Sequence, residues 1–253
     1  MFSFTETQLI GWLTPLLWPF LRALALVASL PVFGQRAVPA RVKIGLCLFI
    51  AVAAQPALPA FEVVPLDSPA AVMLVVQQVL VGVTLGFAVR AVFAAVELGG
   101  ELIGLQMGLN FAGFFDPATA SQGTATGRFF SILVGFVFVI VDGHLAVIAA
   151  VARSFEVFAV GPEPFAFLHA LQPQAWGSEI FALGLWIALP LVGMLLFVNL
   201  VLGVISRVAP QINVFAVGFP LTLAVGLVGM LLTLPLMQAP VTQALERMLA
   251  RFQ

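Results

Sequence analysis

Few residues in this 253-residue chain are of types that do chemistry, and they are spaced poorly for it. The histidines, His144 and His169, fall in different segments. No HExxH, GxSxG, Walker A or dinucleotide fingerprint is present. Asp142 and His144 flank Gly143 and could be a fragment of a metal site, but no third ligand is nearby. A cap or a satisfied turn at a helix break is the simpler use. Cys47 is the lone cysteine and lies in an apolar run. It cannot form an internal disulfide, has no metal spacing around it, and reads as a small buried hydrophobe. Glu97 and Glu101 are one helical turn apart, so acid–base chemistry or a proton path is conceivable. Arg90, seven residues before Glu97 on the same face, can neutralise it, and ion pairing is the simpler reading. The residues therefore predict no enzyme, no metal and no cofactor.

The elements that would position these groups are overwhelmingly apolar. Charged residues make up 8% of the chain, against roughly 25% in soluble domains. Apolar residues reach 62% and mean hydropathy is +1.16. A soluble domain of this size could not hide so much apolar surface, whereas a bilayer or a large hydrophobic assembly could cover it. A net charge of -1 gives no electrostatic case for nucleic acid. The N-terminus lacks a basic region, its first charge being Glu6, and its apolar run continues to about Phe33. That predicts a retained span rather than a secretory signal.

A spanning helix needs ~20 mostly apolar residues. Six segments are predicted: 9–33, broken by Arg22, Pro15 and Pro19; 42–54, short and ended by Pro56 and Pro59; 70–89, uncharged; 129–152, containing Asp142 and His144; 180–206; and 208–245, with four prolines. Each is apolar all round and lacks the alternation of strands, so the fold class is all-α, a polytopic membrane protein of kinked helical hairpins. The 34–43 loop holds Arg36, Arg41 and Lys43, and the 55–69 loop only Glu62 and Asp67. The positive-inside rule then puts the N-terminus outside and the 34–43 loop in the cytoplasm. Simple vertical spans fit badly, since they leave Arg247 and Arg251 outside, and the prolines suggest kinks or re-entrant segments. No linker or repeat stands out, so residues 1–253 are expected to form one domain. Trp12, Trp18, Trp176 and Trp186 could be interfacial anchors or core residues.

The most informative stretch runs from Arg90 to Arg128. Gly100, Gly104 and Gly108 recur every fourth residue and form a smooth stripe, as do Gly82 and Gly86 one span earlier. Such stripes admit another helix backbone to backbone, from within the bundle or from a partner. After Gly108 the helical pattern fails. Asn110, Phe111, Phe114, Phe115, Asp116 and Pro117 put bulky apolar tips beside turn formers, and residues 118–127 are small and polar. Such a loop can anchor in lipid or protein, or it can close a pore by dewetting. On the residues alone the anchor is the simpler use.

Gly100-Glu101-Leu102-Ile103-Gly104-Leu105-Gln106-Met107-Gly108-Leu109, then Phe111-Ala112 and Asp116-Pro117, resembles the central signature of the FliR family. Pro39 to Leu46, Asp142 to Leu145, Ala209 to Phe215 and Gly218 to Leu221 resemble its other motifs, in order and at the expected length. The resemblance implies a subunit of the flagellar type III export gate, in the bacterial inner membrane and flagellar basal body. It implies a helical hetero-oligomer with FliP and FliQ, with FlhB associated, that passes unfolded flagellar subunits. Energy would come from elsewhere: the proton motive force and a separate ATPase. By position it makes Gln106, Met107, Gly108, Leu109, Asn110, Phe111, Phe114, Phe115 and Asp116 a channel plug. Gly82, Gly86, Gly100, Gly104 and Gly108, with Glu97 and Glu101, would serve subunit packing. An injectisome export gate homologue is the near alternative. A stand-alone solute transporter is a more distant one, since polar groups concentrate at segment ends and no inverted repeat is visible.

Overall fold

The structure is a computed structural model that describes residues 6–34, 38–58, 68–109, 124–161, 165–211 and 213–252. These residues form α-helices and short 3-10 turns, with no strand among them. In chain order the helices are α1 (Glu6–Ser29), α2 (Pro31–Gly34), α3 (Ala40–Ala54), α4 (Pro69–Gln106), α5 (Ala125–Ile140), α6 (Gly143–Val157), α7 (Ala166–Leu171), α8 (Trp176–Val208), α9 (Val214–Thr233) and α10 (Gln238–Leu249). The all-α class expected from composition is what the chain adopts.

The six predicted segments differ widely in length once folded. Among the described residues, Pro69–Gln106, Ala166–Val208 and Ala216–Phe252 are long and apolar enough to cross a membrane. A fourth span arises if the bent pair α5 and α6 is one broken crossing. The first predicted segment lies in the 24-residue α1, which carries Glu6, Arg22 and two prolines, and the second is the 15-residue α3. Of the two, α3 falls below the ~20 residues a crossing needs. The third segment and the helix after it are instead one 38-residue element, α4, because nothing between Pro69 and Gly108 breaks the helix. The expected loop at 153–179 is largely helical, through the end of α6, all of α7 and the turn Pro173–Ala175. The last segment divides at the turn Leu234–Met237, where Pro235 falls in the first positions. Pro15, Pro19, Pro190 and Pro220, by contrast, sit inside helices.

The chain divides into two compact units. The first takes residues from 1–91, 142–176 and 245–253. In it α1 packs on α3, with Ala23 and Val27 against Cys47 and Ile50, and Phe20, Leu24 and Ile148 around them. Cys47 is fully buried there, as a small hydrophobe would be. A second cluster stacks Trp176 on Phe87, with ring centroids 5.7 Å apart, while Phe252 meets Trp176 and Phe158 edge-on. Trp18 and Trp176 are therefore core residues, each with a buried indole N–H that has no partner among the described residues, and Trp186 is exposed. The second unit takes residues 92–141 and 177–244. Its core includes Phe93 edge-on to Phe138, with Ile103, Met107, Leu191 and Leu195 buried.

Candidate functional site

The stretch that sequence analysis singled out is built on the C-terminal part of α4. That helix stops at Gly108, which takes φ 81°. Gly108 N–H donates to the Leu105 carbonyl and Leu109 N–H donates to the Gly104 carbonyl, both at 3.1 Å. These two bonds are the Schellman arrangement, with glycine at the position where an L side chain is strained. Gly108 thus ends the helix. Gly108→Ala should cost about 1 kcal/mol through that strained φ. It should appear as a lower thermal midpoint of the purified protein in detergent. An unchanged midpoint would mean that the turn relaxes around the methyl group.

Met107, just before this turn, is fully buried. A Cβ on Gly226 of α9 would stand 2.5 Å from Met107 Cγ, and Thr222 Oγ1 donates to the Met107 carbonyl at 3.5 Å. Met107 therefore supports the end of α4 from inside its unit, while Gln106, Gly108 and Leu109 are half-buried. Asn110, Phe111, Phe114, Phe115 and Asp116 lie outside the described residues.

The glycine stripes carry close approaches inside the chain. A Cβ on Gly100 would stand 2.7 Å from the ring of Phe130, and one on Gly104 would meet the side chains of Thr126 and Thr124. So the stripe seats the start of α5. Gly82 and Gly86 seat α1 in the first unit: a Cβ on Gly82 would be 2.8 Å from Ala25 Cβ, and one on Gly86 would meet Ser29. Gly99 and Gly184 form a third crossing, of α4 with α8. A Cβ on Gly184 would be 2.8 Å from the Ala95 carbonyl oxygen. Sequence reading missed this pair because Gly99 and Gly100 point to different faces, and Gly184 has no glycine four residues before or after it.

Glu97 and Glu101 do not act as a pair. Glu97 is exposed, and among the described residues no ion pair joins it to Arg90, which is also exposed. Glu101 turns to α5, where its Oε1 accepts the Thr124 backbone N–H at 2.9 Å. Thr124 is the N-cap of that helix, its Oγ1 accepting the Gly127 N–H at 3.0 Å and meeting Thr126 Oγ1 at 2.9 Å.

Asp142 lies in a turn at a helix break, the second of the two uses its sequence context suggested, and not as a side-chain cap. It adopts the left-handed conformation at φ 54° and ψ 29°, and its side chain makes no cap bond. The backbone bend, not the carboxylate, is its contribution. His144 follows, half-buried, with no partner at Nδ1, and His169 is exposed on α7. Among the described residues no group of three His, Cys, Asp or Glu side chains could hold a metal ion.

Arg22 is the residue that sequence reading undervalued. It is 0% exposed in the first unit. Its Nε donates to Gln78 Oε1 at 2.9 Å, one terminal nitrogen to Ser154 Oγ at 2.8 Å, and the other to the Phe158 carbonyl at 2.9 Å. The guanidinium carbon lies 3.5 Å from the centre of the Phe155 ring. Gln78 continues the network to Gln77, which reaches the Ala159 carbonyl and the Gly161 N–H. These three hydrogen-bond partners are neutral, so the planar fork and the aromatic face compensate desolvation.

Much of the remaining apolar surface faces outward. Of the most apolar 18-residue windows, 22% is buried in Ala166–Val208 and 28% in Ala216–Phe252, against 67% in α4. On α5, Ile132, Phe136 and Ile140 form an exposed ridge, and on α8 Phe181, Trp186, Phe197, Leu200 and Val208 are exposed.

Comparison with known proteins bears on what such surfaces serve. Residues 13–248 match the family model described as bacterial export proteins, family 1. The flagellar biosynthetic protein FliR of Pectobacterium carotovorum subsp. carotovorum is 44% identical over 236 residues, covering 93% of this chain and 90% of the relative. That of Escherichia coli (strain K12) shows the same identity and coverage. That of Bacillus subtilis (strain 168) is 32% identical over 216 residues, covering 83% of this chain and 82% of the relative.

Proposed function

Because the chain belongs to the FliR family of bacterial export proteins, we propose that it is a structural and gating subunit of the flagellar export channel in the bacterial inner membrane, at the flagellar basal body. It packs with FliP- and FliQ-type subunits, with an FlhB-type protein associated, and unfolded flagellar subunits pass through. The observation that carries this reading is the pairing of two features. Helices α5, α8 and α9 present broad apolar faces that the chain itself leaves uncovered. Between α4 and α5 the chain carries an aromatic segment whose flanks are held by a helix stop at Gly108 and a capped helix start at Thr124. Uncovered apolar helices suit lipid and neighbouring subunits, and aromatic side chains at a constriction suit closure by dewetting. The relatives named above are flagellar proteins, which favours flagellar over injectisome use. They are named as biosynthetic proteins rather than enzymes, and export through a channel asks no bond-breaking step of this chain.

Phe111, Phe114 and Phe115 are assigned to the seal. Replacing all three with Gly, with FliP- and FliQ-type subunits co-expressed, should open the resting channel to small ions. The measurement is conductance of the reconstituted complex in planar bilayers. A triple variant that assembles normally and conducts no more than the parent would end the plug assignment.

A further inference from the structure

Helix α3 has one face inside the first unit and one turned outward. Cys47, Ile50, Ala51 and Ala54 are buried, and Cys47 and Ile50 pack on Ala23 and Val27 of α1. On the opposite side lie Arg41, Gly45, Leu48, Phe49 and Val52, whose three- and four-residue spacing puts them on one face. All five are exposed, Phe49 at 72%. The charge is confined to one end of this face. Arg41 lies in the first turn of α3, where no acidic residue accompanies it, and residues 34–43 hold three cations and no acid. Among the described residues Arg41 has no hydrogen bond or ion pair. At ~1.5 Å per residue, the stripe from Arg41 to Val52 is about 16 Å long. That is close to half of the ~30 Å hydrocarbon core, the depth of a single leaflet. A Cβ on Gly45 would meet nothing within 4 Å, so a notch lies one turn below Arg41 and above the Leu48 and Phe49 side chains.

A lone cation above an apolar stripe one leaflet deep is the complement of a phospholipid with a negative headgroup. From this match we infer that the outer face of α3 is a binding site for an anionic phospholipid. The Arg41 fork holds the phosphate, which suits a planar guanidinium with several donors. Gly45, Leu48, Phe49 and Val52 hold an acyl chain. The positive-inside rule puts this end of α3 in the cytoplasmic leaflet, where anionic lipids supply the matching charge. The inference rests on the chain lying in a membrane and not on the channel reading.

Thermal midpoints of the purified full chain in detergent, titrated with phosphatidylglycerol or with phosphatidylcholine, test the headgroup. Phosphatidylglycerol should raise the midpoint by about 5 °C at saturation, by mass action on the folded state, and phosphatidylcholine should raise it far less. Arg41→Gln should leave the lipid-free midpoint in place, since Arg41 is exposed. It should weaken phosphatidylglycerol about tenfold, the scale of one charge-assisted hydrogen bond. Gly45→Leu fills the notch from a Cβ that meets nothing in the chain, and should weaken the lipid as well. Arg207→Gln, which removes an exposed cation at the end of α8, should change neither the midpoint nor the titration. Equal stabilisation by the two lipids overturns the inference, as does an affinity for phosphatidylglycerol that Arg41→Gln leaves unchanged. A benzophenone side chain introduced in place of Phe49 then identifies the occupant in the co-expressed complex, irradiated in a bilayer of phosphatidylethanolamine and phosphatidylglycerol. A phospholipid adduct on this chain is the expected product. Capture of a neighbouring subunit instead would make the face a protein contact and overturn the inference. None of these readouts depends on ion conductance, so the channel reading stands or falls apart from them.

Discussion

Arg22→Leu is expected to destabilise the first unit by about 3–5 kcal/mol, the usual scale when one member of a buried charged network is removed. The substitution deletes all three donors at once. It leaves the fully buried Gln78 Oε1 and the half-buried Phe158 carbonyl without them. It also removes the cation from the Phe155 face. The thermal midpoint in detergent, followed by tryptophan fluorescence, should fall by roughly 10 °C. Trp18 and Trp176 are both fully buried and make the signal sensitive to this unit. Arg22→Lys keeps the charge but not the fork, and should fall between leucine and the parent. A leucine variant melting within a degree or two of the parent would show that an apolar side chain fills the site as well as the network does.

Gly82→Leu is expected to have the second largest effect. A side chain there meets the carbonyl oxygen of Arg22 and, at 2.8 Å for its first carbon, Ala25 Cβ. Both belong to the body of α1 and cannot step aside, so the helix must move, at a cost of about 3 kcal/mol. Gly86→Ala should cost less, because part of what it meets is the Ser29 side chain. Gly203 of α8 is the control, with nothing within 4 Å of an added Cβ. Gly203→Ala should leave the isolated protein as stable or slightly more so, since alanine favours the helix by up to ~1 kcal/mol. Midpoints ranked in any other order would contradict the packing of α1 on α4. The two large effects are coupled, since the residue whose carbonyl lies over Gly82 is also the buried cation, and a double variant should cost less than the two single costs added together.

What the sequence disclosed and what it withheld divide along distance in the chain. Apolar runs, helical periodicity and the scarcity of charge are local, and they led to an all-α protein whose helices are covered by something other than water. The stop after Gly108 and the break at Asp142 were legible for the same reason, being written in neighbouring residues. Arg22 looked like a flaw in an apolar run because its partners Gln78, Ser154 and Phe158 lie 56, 132 and 136 residues further on. Glu101 was read with its neighbour Glu97, whereas its partner Thr124 lies 23 residues away on another helix. The glycine stripes announced close approach but not by whom, because spacing describes one surface only. Helices α1 and α5 occupy those surfaces. The six apolar segments did not become six crossings: the second, already short in the sequence and ended by Pro56, folds as the 15-residue α3.

Cys47, the one cysteine of the chain, is packed between α1 and α3 with no exposed surface. Its thiol is therefore a built-in clock for local opening. A maleimide reagent meets no other native sulfhydryl in this chain, and it reaches Cys47 only when the contact between these helices parts. Labelling at this position reports how often that happens in the folded protein. The same shielding leaves the folded surface silent to thiol reagents, so a cysteine introduced at an exposed position can be labelled without first removing the native one.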